Sequence, residues 1–270
     1  MDYDSVATAA AELRFRESIW GTAPRDAVDE MELGKRWFGP ILATACGRLP
    51  ELELMNMVQG AAEPGAVEDG HLDAAVAWLD SREVDHMVEV ASDRPGSEIA
   101  EAWLEGRGYE QGPTRRHHLR PATAPDGEVA PSVEVRELAA SATEEMSFLV
   151  AEAFAVPSLI AILVLDLPAL EGWHCYAACL DGREVACGAM MITGDVAMLC
   201  LDATRPDARR RGCQSALIHR RLSDAADAGC HTVLAVSRDF PADRAGAGRN
   251  LQRAGFVETA RSVLWRQPGS

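Results

Sequence analysis

"RPDARRRGCQSALIHRRLSDAADAGC", residues 205–230, puts three consecutive arginines and one glycine at the head of an amphipathic helix. The run before it, "VAMLCLDAT", reads as a strand, and Pro206 ends it because proline cannot donate to a continuing ladder. The first four N–H groups of a helix lack internal partners, and the helix dipole adds partial positive charge at that end. A loop converging there is suited to hold a phosphate or pyrophosphate. Glycine lets a ligand approach the backbone. Arg209, Arg210 and Arg211 add charge and bidentate donors. The competing reading makes the triplet ordinary solvated charge; the strand–proline–loop–glycine–helix order favours the cradle. The glycine pattern fits neither a GxGxxG fingerprint nor a Walker loop, so neither a dinucleotide site nor an ATPase follows.

The surroundings make that cluster an exception. The 270-residue chain has a net charge of −16, with 47% hydrophobic and 25% charged residues, the balance of a folded protein. Residues 1–125 hold 12 Lys+Arg against 23 Asp+Glu, and the remainder 14 against 19. Nucleic acid and anionic membrane are therefore disfavoured as partners. The first residues show no basic and apolar segments of a secretory signal. The longest apolar run, "LIAILVLDLPAL" at 159–170, contains Asp166 and Pro168 and is shorter than the about 20 residues a membrane-spanning helix needs. Seven cysteines without a CxxC pair read as reduced core thiols, with no metal site and a cytoplasmic location expected.

A Pro-rich stretch, "LRPATAPDGEVAPS" at 119–132, suggests a boundary. The expected division is a domain over 1–122, a linker over 123–131 and a second domain over 132–270. The second region reads as strand 132–138, then helix "SATEEMSFLVAEAFAV" with Ser141 as N-cap in a capping-box spacing, then a buried helix at 158–170. Three strands follow, joined by Asp-Gly and Gly-Asp hairpin turns, then the arginine-headed helix, the strand 232–237, a helix within 241–254 and a last strand. The first region reads as helices over 4–19, 26–36, 71–81 and 97–106, with strands at 51–58, 86–91 and 109–120. "WLEGRGYE" at 103–110 echoes "LQRAGFVE" at 251–258, in the same element order, which points to duplication.

"RRRGCQSALI" resembles the (Gln/Arg)-x-x-Gly-x-(Gly/Ala) signature of the GNAT superfamily of acyl-CoA N-acyltransferases, with Arg209 at its first position and Gly212 at its central glycine. Pro206, the helix, the next strand and the terminal "NLQRAGF" stand in similar order, and the resemblance covers about 132–266. It implies an α/β fold with two GNAT-like domains, each a mixed, largely antiparallel sheet flanked by helices. It further implies acetyl-CoA as co-substrate, its pyrophosphate on the amides of Arg210, Arg211, Gly212, Cys213, Gln214 and Ser215. The pantetheine arm would lie along Leu201, Ala203 and Thr204, and a strand amide would polarise the acyl carbonyl. A primary amine, small molecule or peptide, would then attack directly in a ternary complex.

Two positions depart from the pattern: Gln214 replaces Gly or Ala, and Leu251 stands where many members have a tyrosine acting as acid. Asn250 is either a cofactor contact or ordinary helix surface. Asp202, in the strand feeding the loop, is the candidate base, against the reading that it points into solvent. Glu171, His174 and Asp239 are weaker candidates. Trp173 and Trp265 read as packing residues, and His117 and His118 as exposed strand positions without metal spacing. In the first region "QGAAEPGAVEDGHLDAAVAWL" puts acidic residues where phosphate binds, so that half is expected to be a degenerate copy, as in mycothiol synthase and related two-domain acyltransferases. The alternative to an enzyme is a non-catalytic acyl-CoA sensor; a homodimer is left open.

Overall fold

Two hairpins set the frame of the second half of the chain. Asp181 and Gly182 both have positive φ, 53° and 77°, the requirement of a type I′ turn, and the Gly194 turn (φ 59°) follows twelve residues after Gly182. The structure, a computed structural model, describes residues 5–125, 130, 132–139, 143–154, 156–157, 162–238 and 246–268. In chain order the first elements are α1 (Ser5–Thr22), α2 (Arg25–Met31), β1 (Leu33–Phe38), β2 (Ile41–Cys46), β3 (Met57–Gln59) and α3 (His71–Asp80). Next come β4 (Met87–Ala91), α4 (Ser97–Glu105), β5 (Glu110–Pro121), β6 (Glu134–Glu137), α5 (Glu144–Phe154) and α6 (Ile162–Leu165). The last are β7 (Trp173–Leu180), β8 (Arg183–Thr193), β9 (Val196–Thr204), α7 (Cys213–Asp227), β10 (Thr232–Arg238), α8 (Gly246–Arg253) and β11 (Val257–Arg266). No helix among the described residues is long and apolar enough to cross a membrane.

The chain divides into two units. The arginine-loop unit comprises Met1–Thr22 and His118–Glu258; the acidic-loop unit comprises Ala23–His117 and Thr259–Ser270. This differs from a cut at 123–131, because the chain's two ends are exchanged. In the arginine-loop unit, α1 packs Ala11 and Phe15 on Val196, Met198 and Leu234, and Trp173 donates its indole N–H to Ser18 Oγ at 2.7 Å. In the acidic-loop unit, β11 pairs antiparallel with β4 over Ser262↔Ala91 to Arg266↔Met87.

Strand order in the arginine-loop unit is β5-β10-β9-β8-β7-β6, with β5 belonging to it from His118 onward, and in the acidic-loop unit β1-β2-β3-β4-β11, with β11 belonging to it from Thr259 onward. Parallel pairing joins β10 with β9 in the first and β3 with β4 in the second. In the arginine-loop unit α7 lays Cys213, Ala216, Leu217, Ile218, Leu222 and Ala225 on the sheet face formed by Tyr176, Ala186, Met190, Leu199 and Val233. Truncating a fully buried leucine such as Leu217 to alanine costs about 2–5 kcal/mol.

The expected helix at 26–36 stops at Met31, because a hairpin, β1–β2, follows and turns at Gly39–Pro40, where Gly39 has φ 55°. The strand expected at 51–58 is reduced to β3, since Leu49, Glu51 and Leu52 carbonyls accept turn hydrogen bonds instead. Ser141 and Asp239 lie outside the described residues, as do 158–161 of the expected buried helix; α6 covers Ile162–Leu165 of it. The repeat is visible at both Gly-aromatic pairs. Gly108 and Gly255 have φ 78° and 83°, and the following N–H groups, Tyr109 and Phe256, bond to the Leu104 and Leu251 carbonyls at 3.0 and 3.1 Å.

Candidate functional site

The site is built where β9 and β10 separate. Their parallel ladder has four pairs, Thr232↔Val196 to Ala235↔Leu199, yet β9 continues to Thr204 and β10 to Arg238. Beyond Leu199, the edge of β9 away from β8 therefore keeps backbone groups that β10 does not use. Such groups suit an extended ligand arm, which can pair with them as a strand would. On the other edge Ala203 pairs with Cys187 and Thr204 with Ala186.

Between those pairs the register slips: Cys187↔Ala203 is followed by Ala189↔Cys200, so Leu201 and Asp202 stand opposite the single residue Gly188. This is a β-bulge, and Leu201 carries its positive φ, 55°. The bulge was not foreseen from the sequence, where "MLCLDAT" reads as an unbroken strand.

The loop after β9 ends in Gly212, the N-cap of α7, with φ 87° and no side-chain cap. The helix's first i→i−4 bond is Ala216 N–H to Gly212 C=O at 3.0 Å. The N–H groups of Cys213, Gln214 and Ser215 thus have no acceptor within the helix. Arg210 is also left-handed at φ 63°. Arg209 and Arg210 are exposed and have no ion-pair partner among the described residues; Arg211 reaches only the exposed Asp181, at 3.9 Å. A Cβ built on Gly212 meets the Ala130 Cβ at 3.2 Å, so a side chain there is opposed by both backbone and neighbour. Uncapped amides, a glycine held left-handed and unpaired arginines fit an anionic diphosphate.

Gln214 and Asn250 are brought together: Asn250 Nδ2 donates to Gln214 Oε1 at 2.5 Å, tying the first turn of α7 to α8. Cys213 is buried, which pushes its thiol up and makes it a packing residue. Burial likewise raises Cys175, up to about 12, and all seven cysteines are buried and free. None has the exposure and positive surroundings of a nucleophile.

Asp202 is partly exposed, at 28%, but it is not free. Its carboxylate receives Arg221 Nη2 at 2.5 Å and Nη1 at 3.2 Å, and Arg221 has no exposed side-chain surface. Burial opposes the Arg221 charge, but the Asp202 carboxylate beside it outweighs that and holds the guanidinium protonated. A carboxylate engaged on both oxygens by a guanidinium lacks the unpaired, desolvated character expected of a base. Leu251, at the tyrosine position, is buried in the core with Ala216 and Leu217. His174 pairs with Glu137 at 2.8 Å on an exposed edge, and Glu171 is exposed. Trp265 is buried in the core of the acidic-loop unit.

His118 departs from its expected exposure. It is 2% exposed, with Nε2 at 2.8 Å from Ser237 Oγ, because β5 buries His118, Leu119 and Arg120 in succession. His117 is half-buried, with Nε2 3.1 Å from Ser262 Oγ. Arg221 was missed, although a signal existed: 213, 217 and 221 lie on one stripe of α7 at i, i+4 spacing, so one arginine had to point inward.

In the acidic-loop unit the corresponding place is filled. The β3–β4 ladder has two pairs, Met57↔Met87 and Val58↔Val88. Next along these strands come Gln59 and Glu89. Gln59 Nε2 donates to Glu89 Oε2 at 2.8 Å, Arg115 Nη1 reaches both carboxylate oxygens at 2.5 Å, and Ser262 Oγ donates to Oε1 at 2.5 Å. The following loop carries Glu63, held by Arg94 through two 2.7 Å bonds, with Glu68 and Asp69.

No family model matches the sequence, and neither does any curated protein. Solved structures do. A GCN5-related N-acetyltransferase from Kribbella flavida is 18% identical, covers 100% of this chain and 98% of its own, and has a TM-score of 0.71. A GCN5-related N-acetyltransferase from Sphaerobacter thermophilus is 19% identical over 86% of this chain and 82% of its own, TM-score 0.61. A tandem GNAT protein from the clavulanic acid biosynthesis pathway is 13% identical over 99% and 97%, TM-score 0.57. At these identities the likeness establishes the fold: a mixed α/β fold of the GCN5-related N-acetyltransferases, over the whole chain.

Proposed function

We propose that this chain is an acyl-CoA N-acyltransferase that moves an acetyl group from acetyl-CoA to a primary amine, with the arginine-loop unit binding acetyl-CoA and the acidic-loop unit a degenerate copy. The observation that carries the reading is the parting of β9 from β10 beside a glycine-capped helix N-terminus, with two exposed arginines that have no ion-pair partner among the described residues. Acetyl-CoA supplies an activated thioester. The amides of Cys213, Gln214 and Ser215, with Arg209 and Arg210, hold its diphosphate, and the free edge of β9 near Leu201, Ala203 and Thr204 aligns its arm. The amine nitrogen attacks the thioester carbon, the C–N bond forms, and the C–S bond breaks with the electron pair going to sulfur. The nitrogen's proton leaves to water, and solvent protonates the thiolate, since neither Asp202 nor Leu251 is placed to serve. The chain's contribution is alignment of two substrates and stabilisation of the developing oxyanion.

The test is acetyl-CoA titrated into the protein, followed by release of free thiol in the presence of a panel of primary amines. Saturable binding with amine-dependent thiol release is expected. Binding with no thiol release across the panel would instead support a sensor, the reading that the buried Leu251 favours. Absence of binding would remove both.

A further inference from the structure

We infer that Arg221 is a positioning residue that fixes the bulge of β9 to the helix bearing the anion cradle; this rests on the acyltransferase reading above. Arg221 lies nine residues, about two and a half turns, beyond the N-cap Gly212 on α7 and is wholly buried. Its Nε donates back to the Leu217 carbonyl at 3.1 Å, which orients the guanidinium toward the sheet. Nη1 then donates to the Ala189 carbonyl at 2.9 Å and the Cys200 carbonyl at 3.4 Å, the paired residues where the bulge begins. Both terminal nitrogens hold Asp202, its second residue. Each strand flanking the irregularity is thus fastened to one side chain.

Gly188 completes the fitting. It stands opposite the bulge, and a Cβ there comes within 2.9 Å of Arg221 Cζ and Nη1. Its φ is not positive, so the position requires glycine for the room it leaves to the guanidinium rather than for backbone freedom. A buried ion pair is a poor device for stability alone, since apolar residues of similar volume commonly do as well or better. Its value here is geometric. One rigid helix presents diphosphate-binding amides at its head and grips the bulge eight residues later, so the spacing between anchored diphosphate and thioester is set by a single element.

The test uses the full chain with two variants, Arg221→Lys and Gly188→Ala, the second displacing the guanidinium while keeping it. Affinity for CoA reads the cradle, and the infrared carbonyl stretch of bound [1-13C]acetyl-CoA reads polarisation at the bulge. In the wild type the stretch is expected to shift to lower frequency on binding. In a folded variant that shift is expected to be lost, while affinity for CoA stays within about twofold because the cradle is a separate set of groups. A folded variant that keeps the wild-type carbonyl frequency overturns the inference and leaves the acyltransferase reading intact. A wild type that binds no acetyl-CoA overturns the acyltransferase reading, and the inference falls with it. Should Arg221→Lys fail to fold, Gly188→Ala decides alone; and a wild-type stretch unchanged on binding rejects the role given to the bulge.

Discussion

The two units share a local plan and diverge in what fills it. In each, the first strand of a parallel pair is followed by a loop and a helix, which leads into the second strand and whose N-cap is a left-handed glycine without side-chain capping: Gly212 at φ 87° before α7, and Gly70 at φ 73° before α3. After the parallel ladder ends, the arginine-loop unit leaves the edge of β9 away from β8 unpaired with β10 and surrounds the cap with arginines. The acidic-loop unit fills the same place with Gln59, Glu89, Arg115 and Ser262 and precedes its cap with Glu63, Glu68 and Asp69. On the proposed reading, backbone geometry alone therefore does not make an anion site. The sign of the side chains around it decides, since a carboxylate about 4 Å from a phosphate costs about 4 kcal/mol at the effective dielectric of a protein surface.

The largest expected effect tests whether the filled unit is only structural. Glu89→Ala removes the buried carboxylate to which Arg115, Gln59 and Ser262 donate; breaking such a buried pair costs about 3–5 kcal/mol. Urea denaturation should show that loss, while affinity for acetyl-CoA below the transition stays at the wild-type value. Affinity falling in step with stability would mean that the filled place takes part in binding.

Next in size is a matched pair of caps. Gly212→Glu should weaken acetyl-CoA binding about a hundredfold or more, by setting a carboxylate among the amides. Gly70→Glu should leave it unchanged, because on the proposed reading that cap, preceded by Glu63, Glu68 and Asp69, holds no phosphate. Any side chain at either position carries the strain of a left-handed backbone, so Gly212→Ala separates strain from charge. Equal losses from Gly70→Glu and Gly212→Glu would erase the distinction between the units. Smaller still, Arg209→Ala and Arg210→Ala should each weaken binding about tenfold, the worth of one charge-assisted hydrogen bond, and flatten its dependence on salt.

The contrast was partly legible before any coordinates. The arginines at 209–211, Gly212 and the hairpin turns at Asp181 and Gly194 are local signals, because charge, proline and glycine act on the chain next to them. The Gly108/Gly255 echo exposed the repeat for the same reason. What the sequence hid depends on distant residues. The bulge at Leu201 stands opposite Gly188 and is held by Arg221 from α7, and the buried His118 meets Ser237, 119 residues away. The exchange of chain ends between the units likewise needs β11 to find β4. The β1–β2 hairpin was missed for a humbler reason: a run of good helix formers at 26–36 outweighed the Gly39–Pro40 turn beyond it.

The smallest effect concerns acid, and it belongs to the acidic-loop unit through His86. That ring is fully buried; with Nδ1–H donating to the Val84 carbonyl at 3.4 Å, Nε2 accepts the Tyr109 hydroxyl at 2.7 Å. Burial lowers the His86 pKa below the ordinary 6.5, against the opposing pull of the Val84 carbonyl, Asp80 and Asp85. The unfolded chain therefore takes up a proton that the folded chain refuses. Stability from this group is complete above about pH 6.5 and declines as pH falls below it, by at most about 1.4 kcal/mol per pH unit. His86→Gln should be less stable than wild type at pH 7.5, having lost a fitted ring, but should lose less on acidification to pH 5. Thermal melts of both proteins across that range give the comparison, because the carboxylates common to both cancel. Parallel slopes would mean that His86 accepts its proton within the folded unit, and that burial there does not exclude charge.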